Sequence, residues 1–321
     1  MLSALLLAGL AAQPVHAVIF LSTGDPTHNT TDPGDGSGWQ YEGGFDGVLG
    51  TAVAPNYFLT AKHVGGGIGD TFNYNGTSYT TINKFSSPTS DLTLWQVSGT
   101  FSSYAPLYSG SDEVGKQLVV IGRGTQRGAE VNVPGASPTD LRGWLWGNGD
   151  GVQRWGQGRV GDTANLGTGL GQVLAVPFDR NSGLPDMATL SNGDSGGGVF
   201  IQEGGVWKLA GINYGVETGF RYSAGGTNIN AAVFDAGGLY YNSGSGFQLV
   251  PDQSSDVPAS WVATRISANQ SWIQGITAVP EPLNAVAAIG GGLGLFALWR
   301  RATRMTGVRG VSQGLSRRGR S

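Results

Sequence analysis

The stretch SNGDSGGGVF (Ser191–Phe200) decides how the whole chain is read. A serine flanked by glycines and followed by an apolar run is a candidate nucleophile turn, yet 56 of the 321 residues are glycine, so the string alone proves little. The scarcest residue type settles more: the chain has three histidines, His16, His28 and His63. His16 lies in an apolar leader. His28 stands in the polar run STGDPTHNTTDPGDGSG (22–38) and reads as a solvated loop residue. His63 closes the apolar run Phe58-Leu59-Thr60-Ala61-Lys62-His63 and is the histidine that can serve Ser195.

Composition sets the frame. Abundant glycine with undiminished aromatics and aliphatics points to a β-rich fold with many tight turns rather than a disordered chain. Cysteine is absent, which a chain of this size tolerates because its core is large enough to hold without disulfides. Short alternating or apolar runs of strand length recur at 44–54, 57–61, 70–77, 78–85, 92–97, 117–121, 172–177, 197–202 and 206–213. Gly, Asn, Pro and Asp separate them, with Asn75-Gly76 the strongest turn. Only 268–276 reads as helix before the C-terminal region. Many strands without helical crossovers predict an all-β, antiparallel barrel or sandwich, with 109–115 (SGSDEVG) a linker between two β units.

Both ends read as addresses. Residues 1–17 hold an apolar run and Val15-His16-Ala17, the pattern of a cleaved signal peptide. At the other end, 283–299 is apolar and uncharged, seven arginines follow it, and Val279-Pro280-Glu281-Pro282 precedes it. This arrangement resembles the PEP-CTERM sorting signal of Gram-negative bacteria. The resemblance implies export across the inner membrane, a membrane segment at 283–299, an exosortase-type processing partner, and a final place at the cell surface, in the periplasm or in the extracellular matrix. Between the end segments, residues 18–280 carry 12 Lys+Arg against 21 Asp+Glu, near −9. With no basic stripe, nucleic acid is excluded as a partner.

Gly193-Asp194-Ser195-Gly196-Gly197 also fits Gly-x-Ser-x-Gly of α/β-hydrolases, but that fold needs a histidine after the serine and a helix after the turn. No histidine follows Ser195, and Gly198-Val199-Phe200-Ile201 continues as a strand. A metal site lacks ligand spacing. The order His, Asp, Ser remains, and here the chain resembles the trypsin-like serine peptidases of the chymotrypsin clan. Leu59-Thr60-Ala61-Lys62-His63 is similar to the family's Leu-Thr-Ala-Ala-His block, and Asp91-Leu92-Thr93-Leu94-Trp95 to its aspartate strand. Gly193–Gly197 is similar to its nucleophile block, with Gly198 where proline is usual. Ala210–Gly215 resembles its peptide-pairing strand. Thr264–Ser267 with Ser271–Gln274 resembles its last strand and terminal helix.

The resemblance implies two antiparallel six-stranded barrels, about 39–115 and 116–276, behind an N-terminal arm (18–38) and before a sorting signal (277–321). It implies a cofactor-free, metal-free endopeptidase acting on polypeptides through His63, Asp91 and Ser195. The N–H groups of Gly193 and Ser195 would form the oxyanion hole, and Thr189, Asn213, Tyr214 and Gly215 would bind substrate. Thr189 at the S1 base carries no acid, so cleavage after Lys or Arg is not implied; a small or neutral apolar P1 residue is expected. Asp194 has two readings, a partner for a freed N-terminal amine at Val18 or a local hydrogen-bonded group. The alternative function is a non-catalytic surface or exopolysaccharide-matrix binding protein on the same scaffold.

Overall fold

A computed structural model describes residues 18–135, 139–242, 244 and 246–278. The signal peptide expected at 1–17, and the Pro-Glu-Pro box with its apolar segment and basic tail, lie outside the described residues. The architecture is all-β, ending in one short helix, as expected.

The chain opens with a two-residue strand, β1 (Ile19–Phe20). Six strands then close a barrel: β2 (Glu42–Phe45), β3 (Val48–Ala54), β4 (Tyr57–Ala61), β5 (Thr71–Tyr74), β6 (Thr77–Ser86) and β7 (Leu92–Val97). The run read as one strand at 44–54 is broken at Asp46-Gly47, where both residues take positive φ (47° and 82°) and Phe45 pairs with Val48. Asp-Gly in a two-residue hairpin loop suits the twist of antiparallel strands, and Asn75-Gly76 does the same between β5 and β6. Inside the barrel Phe45, Phe58, Phe72 and Trp95 pack together, Phe58 stacked on Phe72 with centroids 3.9 Å apart.

Residues 109–115 link this barrel to the second unit, and they are tied down rather than loose. Glu113 is fully buried there, accepts two bonds from Arg265 (2.8 and 2.6 Å) and one from Ser267 Oγ (2.6 Å).

The second unit runs through β8 (Gln117–Gly122), β9 (Thr125–Asn132), β10 (Leu141–Gly149), β11 (Arg154–Arg159), β12 (Asp162–Asn165), β13 (Gln172–Pro177) and β14 (Ala188–Thr189). It continues with β15 (Gly198–Glu203), β16 (Val206–Val216), β17 (Phe220–Arg221), β18 (Ala231–Val233), β19 (Tyr240–Asn242), β20 (Phe247–Leu249), β21 (Ser260–Arg265) and the helix α1 (Gln270–Thr277). Seven strands form one antiparallel sheet in the order β11-β8-β15-β16-β21-β13-β12. The sheet rolls until β11 faces β13: the Gly161 N–H donates to Ala175 O at 2.9 Å, and a Cβ on Gly158 would lie 2.9 Å from Val176 Cγ1. Leu118, Val120, Val176, Val199, Ile201 and Trp261 fill the interior.

Two features were not read from the sequence. Small sheets β9-β10-β18 and β17-β19-β20 are built from 125–149 and 220–249, where glycine interrupts the alternation. The N-terminal arm is also built in. β1 pairs with β14 (Ile19 with Thr189), and Val18, Ile19 and Phe20 are buried. This folds the arm back across 178–190 and brings His28 Nε2 to 2.7 Å from Asp186 Oδ1, its ring edge-on to Phe20. His28 is therefore a half-buried, paired residue and not the solvated one expected.

Removing Glu113 would leave the Arg265 guanidinium desolvated with no carboxylate partner. Breaking a buried pair from one side costs about 3–5 kcal/mol, so Glu113→Ala should lower the midpoint of urea unfolding by that equivalent. A loss under 1 kcal/mol would contradict this account of the linker.

Candidate active site

His63 and Asp91 are brought together by strand register. Every side chain of β4 is buried, which fixes it against β7 with Ala61 opposite Leu92. The next residues out, Lys62 and Asp91, continue the ladder through Lys62 N–H to Asp91 O (3.2 Å). The following 3₁₀ turn, Lys62–Val64, presents His63. Asp91 is buried and holds His63 twice: Oδ1 accepts the His63 main-chain N–H at 3.0 Å, and Oδ2 lies 2.6 Å from Nδ1. One carboxylate gripping both the main chain and the ring leaves the imidazole a single orientation. Nε2 then faces Ser195 Oγ at 2.8 Å. Two other acids of the chain are engaged elsewhere, Asp70 with the Gly67 N–H and Asp112 with Lys116 and Tyr108.

Ser195 comes from the other unit. Its turn is compact because Gly196 adopts φ 87°, and a Cβ there would fall inside contact distance of Leu49 O and Thr60 Oγ1 on the first barrel. The N–H groups of Asp194, Gly196 and Gly197 bond to Ser191 O, Asn213 O and Asp194 O. Those of Gly193 and Ser195 take no main-chain acceptor among the described residues. They are left to serve an oxygen from outside, the requirement of an oxyanion hole.

The expected substrate residues divide. Tyr214 and Gly215 line a cavity of about 680 Å³ beside His63 and Asp91, walled also by Leu166, Leu170, Val216 and Val262. Beyond Asn213, β16 has β21 on one side and no strand on the other among the described residues, an edge on which extended peptide can add main-chain bonds. Asn213 is buried, and its Nδ2 donates to Ile121 O (2.8 Å) and Asp194 O (3.1 Å). Thr189 is buried in the short ladder with Ile19 and does not line that cavity.

Lys62 escaped the sequence reading, although the alanine usual at its place in the resembling block marks the departure. Its Nζ donates to Ser87 O (3.1 Å) and Ser90 O (2.8 Å), with Gly169 O at 3.4 Å. The ammonium thus joins the loop before Asp91 to the loop that carries Leu166 and Leu170.

Asp194 is held by local hydrogen bonds. Oδ1 accepts the Gly124 N–H, and Oδ2 accepts the N–H and hydroxyl of Ser191. Burial pushes its carboxyl up to about 7 against those bonds. Burial likewise pushes Glu42, at the start of β2, up to about 8. Both folded values stand above the ordinary 3.8 and 4.5, so the folded chain keeps protons that the unfolded chain releases. The associated stability is complete below about pH 4 and is lost as pH rises through 7 and 8. Urea midpoints should therefore fall steadily from pH 5 to pH 9, and the Glu42→Gln variant should show a shallower fall; a flat wild-type profile would contradict the burial of these two acids.

No family model matches the chain, and no curated protein does. Among solved structures it is similar to neuropsin, a serine protease expressed in the limbic system of mouse brain, at 12% identity and a TM-score of 0.46, over 77% of this chain and 97% of that one.

Proposed function

We propose that this chain is a serine endopeptidase. One observation carries the reading: the unbroken relay Asp91–His63–Ser195, with contacts of 2.6 and 2.8 Å, ending at a turn whose Gly193 and Ser195 N–H groups meet no main-chain acceptor among the described residues. In the reaction that follows, Ser195 Oγ attacks the scissile carbonyl carbon while its proton passes to His63 Nε2. The negative oxygen of the tetrahedral intermediate meets the two N–H groups, each such donor worth about 3 kcal/mol. The C–N bond breaks as His63 returns the proton to the leaving amine. Water then attacks the acyl-enzyme by the same route and releases the acid, restoring Ser195. Asp91 keeps the ring oriented and stabilises the imidazolium.

Substrate preference follows from the walls available. The cavity beside His63 is mostly aliphatic and aromatic, with Glu217 the carboxylate on its rim besides Asp91. Glu217 is occupied by the Ser260 N–H (2.6 Å) and the Tyr241 hydroxyl (3.3 Å). Because that wall is mostly aliphatic and aromatic, a small or neutral apolar P1 residue is the preference proposed, and Lys or Arg is not. The end segments support an exported protein of a Gram-negative surface, held by 283–299 until an exosortase-type enzyme processes it.

A fluorophosphonate probe should label Ser195 alone, and Ser195→Ala should abolish labelling. Asp91→Asn should lower kcat on the order of 10⁴-fold by disturbing the tautomer, with KM little changed. Absence of labelling in folded wild-type protein, together with no cleavage across a random peptide library, would overturn the reading. Library products ending mainly in Lys or Arg would overturn the preference alone.

A further inference from the structure

Strand register gathers a second set of side chains on the outer face of the second unit. Val119 of β8 stands opposite Gln157 of β11 and Phe200 of β15, and Gln202 of β15 stands opposite Trp207 of β16. Residues two apart along a strand share a face, so Trp155, Gln157, Gln117, Gln202 and Trp207 project to one side. The opposite side sends Leu118, Val120, Val199 and Ile201 into the interior. The five outward residues line a cavity of about 490 Å³, within the range of about 300–1,000 Å³ in which small-molecule sites fall.

The lining sets amides between aromatic rings. Trp155 and Trp207 stand on the outer two of four adjacent strands, β11-β8-β15-β16, at least about 14 Å apart at the usual strand spacing. Between them Gln117 and Gln202 are exposed and Gln157 is half-buried. The Trp155 indole N–H donates to Thr31 O at 3.1 Å, which fixes that ring, and Gln157 Oε1 accepts the Asp186 N–H at 3.3 Å. Among the described residues the Gln117 amide and the Trp207 indole N–H have no partner, and the Gln202 amide reaches Gly205 O at 3.5 Å. The charged groups of the lining are one of each sign, Asp35 and Lys116.

These groups match the chemistry of a sugar chain. A pyranose has C–H faces that pack on an aromatic ring, and edge hydroxyls that both donate and accept. A glutamine amide offers two donors and an acceptor with two lone pairs, so it can meet two neighbouring hydroxyls. A proline-rich peptide also packs on aromatic side chains, but prolines have no N–H and would leave the amide oxygens unmet. A charged ligand gains little from a lining whose acid and base balance.

We propose that this face binds a neutral, extended oligosaccharide of β-linked hexoses, with Trp155 and Trp207 stacking on rings near its two ends and Gln117, Gln157 and Gln202 bonding hydroxyls between them. The spacing of the tryptophans exceeds one sugar ring, so the ligand is a chain that stays straight. The site stands independently of the peptidase reading. Its residues line no part of the cavity beside His63, and Gln202 lies at the end of β15 away from the Ser195 turn. A bound glycan would therefore tether the chain without covering Ser195.

The test uses the full chain and three probes: a hexamer of β-1,4-linked glucose, a hexamer of β-1,4-linked mannose, and a proline decapeptide. At least one hexamer should bind by calorimetry with a Kd of about 1 mM or tighter. It should shift the Trp207 indole N–H resonance, assigned through Trp207→Phe. Trp207→Ala should weaken binding at least about ten-fold and Gln117→Ala at least about three-fold, equivalent to about 1.4 and 0.6 kcal/mol. Gln117 is exposed, so its variant keeps the test open where Trp207→Ala fails to fold. Fluorophosphonate labelling of Ser195 should proceed at the same rate with the hexamer saturating. The proposal is overturned if neither hexamer binds, if the decapeptide alone binds, or if binding is unchanged in Gln117→Ala or in folded Trp207→Ala. A hexamer that blocks labelling overturns it too, by placing the sugar in the cavity beside His63. Wild type that binds the hexamer but is never labelled overturns the peptidase reading instead and leaves the glycan site standing.

Discussion

Everything at this site depends on one contact between two separately built halves, the 2.8 Å approach of Ser195 Oγ to His63 Nε2. Each partner is rigid within its own unit: His63 through the double hold of Asp91, Ser195 through a turn bonded internally and to Asn213. A hydrogen bond between them, worth about 1 kcal/mol net, cannot hold two barrels in register. Packing does that. Leu59, Ala61, Leu92 and Leu94 from the first barrel share one apolar cluster with Val119, Ile121, Phe200 and Ile212 from the second, and Ile266 and Ile273 complete it. Gly196 belongs to the same constraint, since a side chain there would strike Leu49 O and Thr60 Oγ1 of the first barrel.

Polar ties make that packed seam directional. Glu113–Arg265 fastens the linker to the last strand, and Lys62 spans the Asp91 loop and the loop at 167–171. Each tie uses main-chain carbonyls or a bidentate pair, arrangements that define a geometry more sharply than an apolar contact does. The extra sheets do comparable work farther out. Arg142 is buried among the carbonyls of Gly237 and Thr139 and the carboxylates of Asp235 and Asp252. Arg154 binds Pro26 O and Asp150. A buried guanidinium is stable only when its donors are met, so these residues pin the insertions and the N-terminal arm at defined places.

The arrangement of His63, Asp91 and Ser195 was legible because it is carried by rules local in sequence. An apolar strand ending in His63, an acid opening the strand at Leu92, and a glycine-rich turn before a strand each follow from short-range pattern, and the histidine count removed competitors. What escaped was written in long-range pairing. His28 looks solvated beside its polar neighbours and becomes half-buried only through Asp186, 158 residues away. Glu42 looks like an ordinary exposed acid at a strand start, and it is buried beside Thr51 and close against Gly198, 156 residues away. The Asp46-Gly47 turn is the exception: its signal is local, and it was absorbed into the longer apolar run at 44–54. The strands at 125–132 and 141–149 are interrupted by glycine and by register shifts, and those at 220–221, 231–233, 240–242 and 247–249 are two or three residues long, so alternation does not register.

The placement of Thr189 bears on how selectivity can arise. Its side chain is buried, and its main chain is committed to the strand pairing with the arm. On the peptidase reading proposed above, the cavity beside His63 offers surface that a substrate side chain can cover. Burial of apolar area there is worth about 25 cal/mol per Å², so a side chain covering 80 Å² would gain about 2 kcal/mol, enough to rank substrates but not to enforce one. Part of that wall, Leu166 and Leu170, stands on the loop that Lys62 ties to the Asp91 segment. A single ammonium therefore touches both the loop that carries part of the apolar wall and the segment before the residue that orients His63.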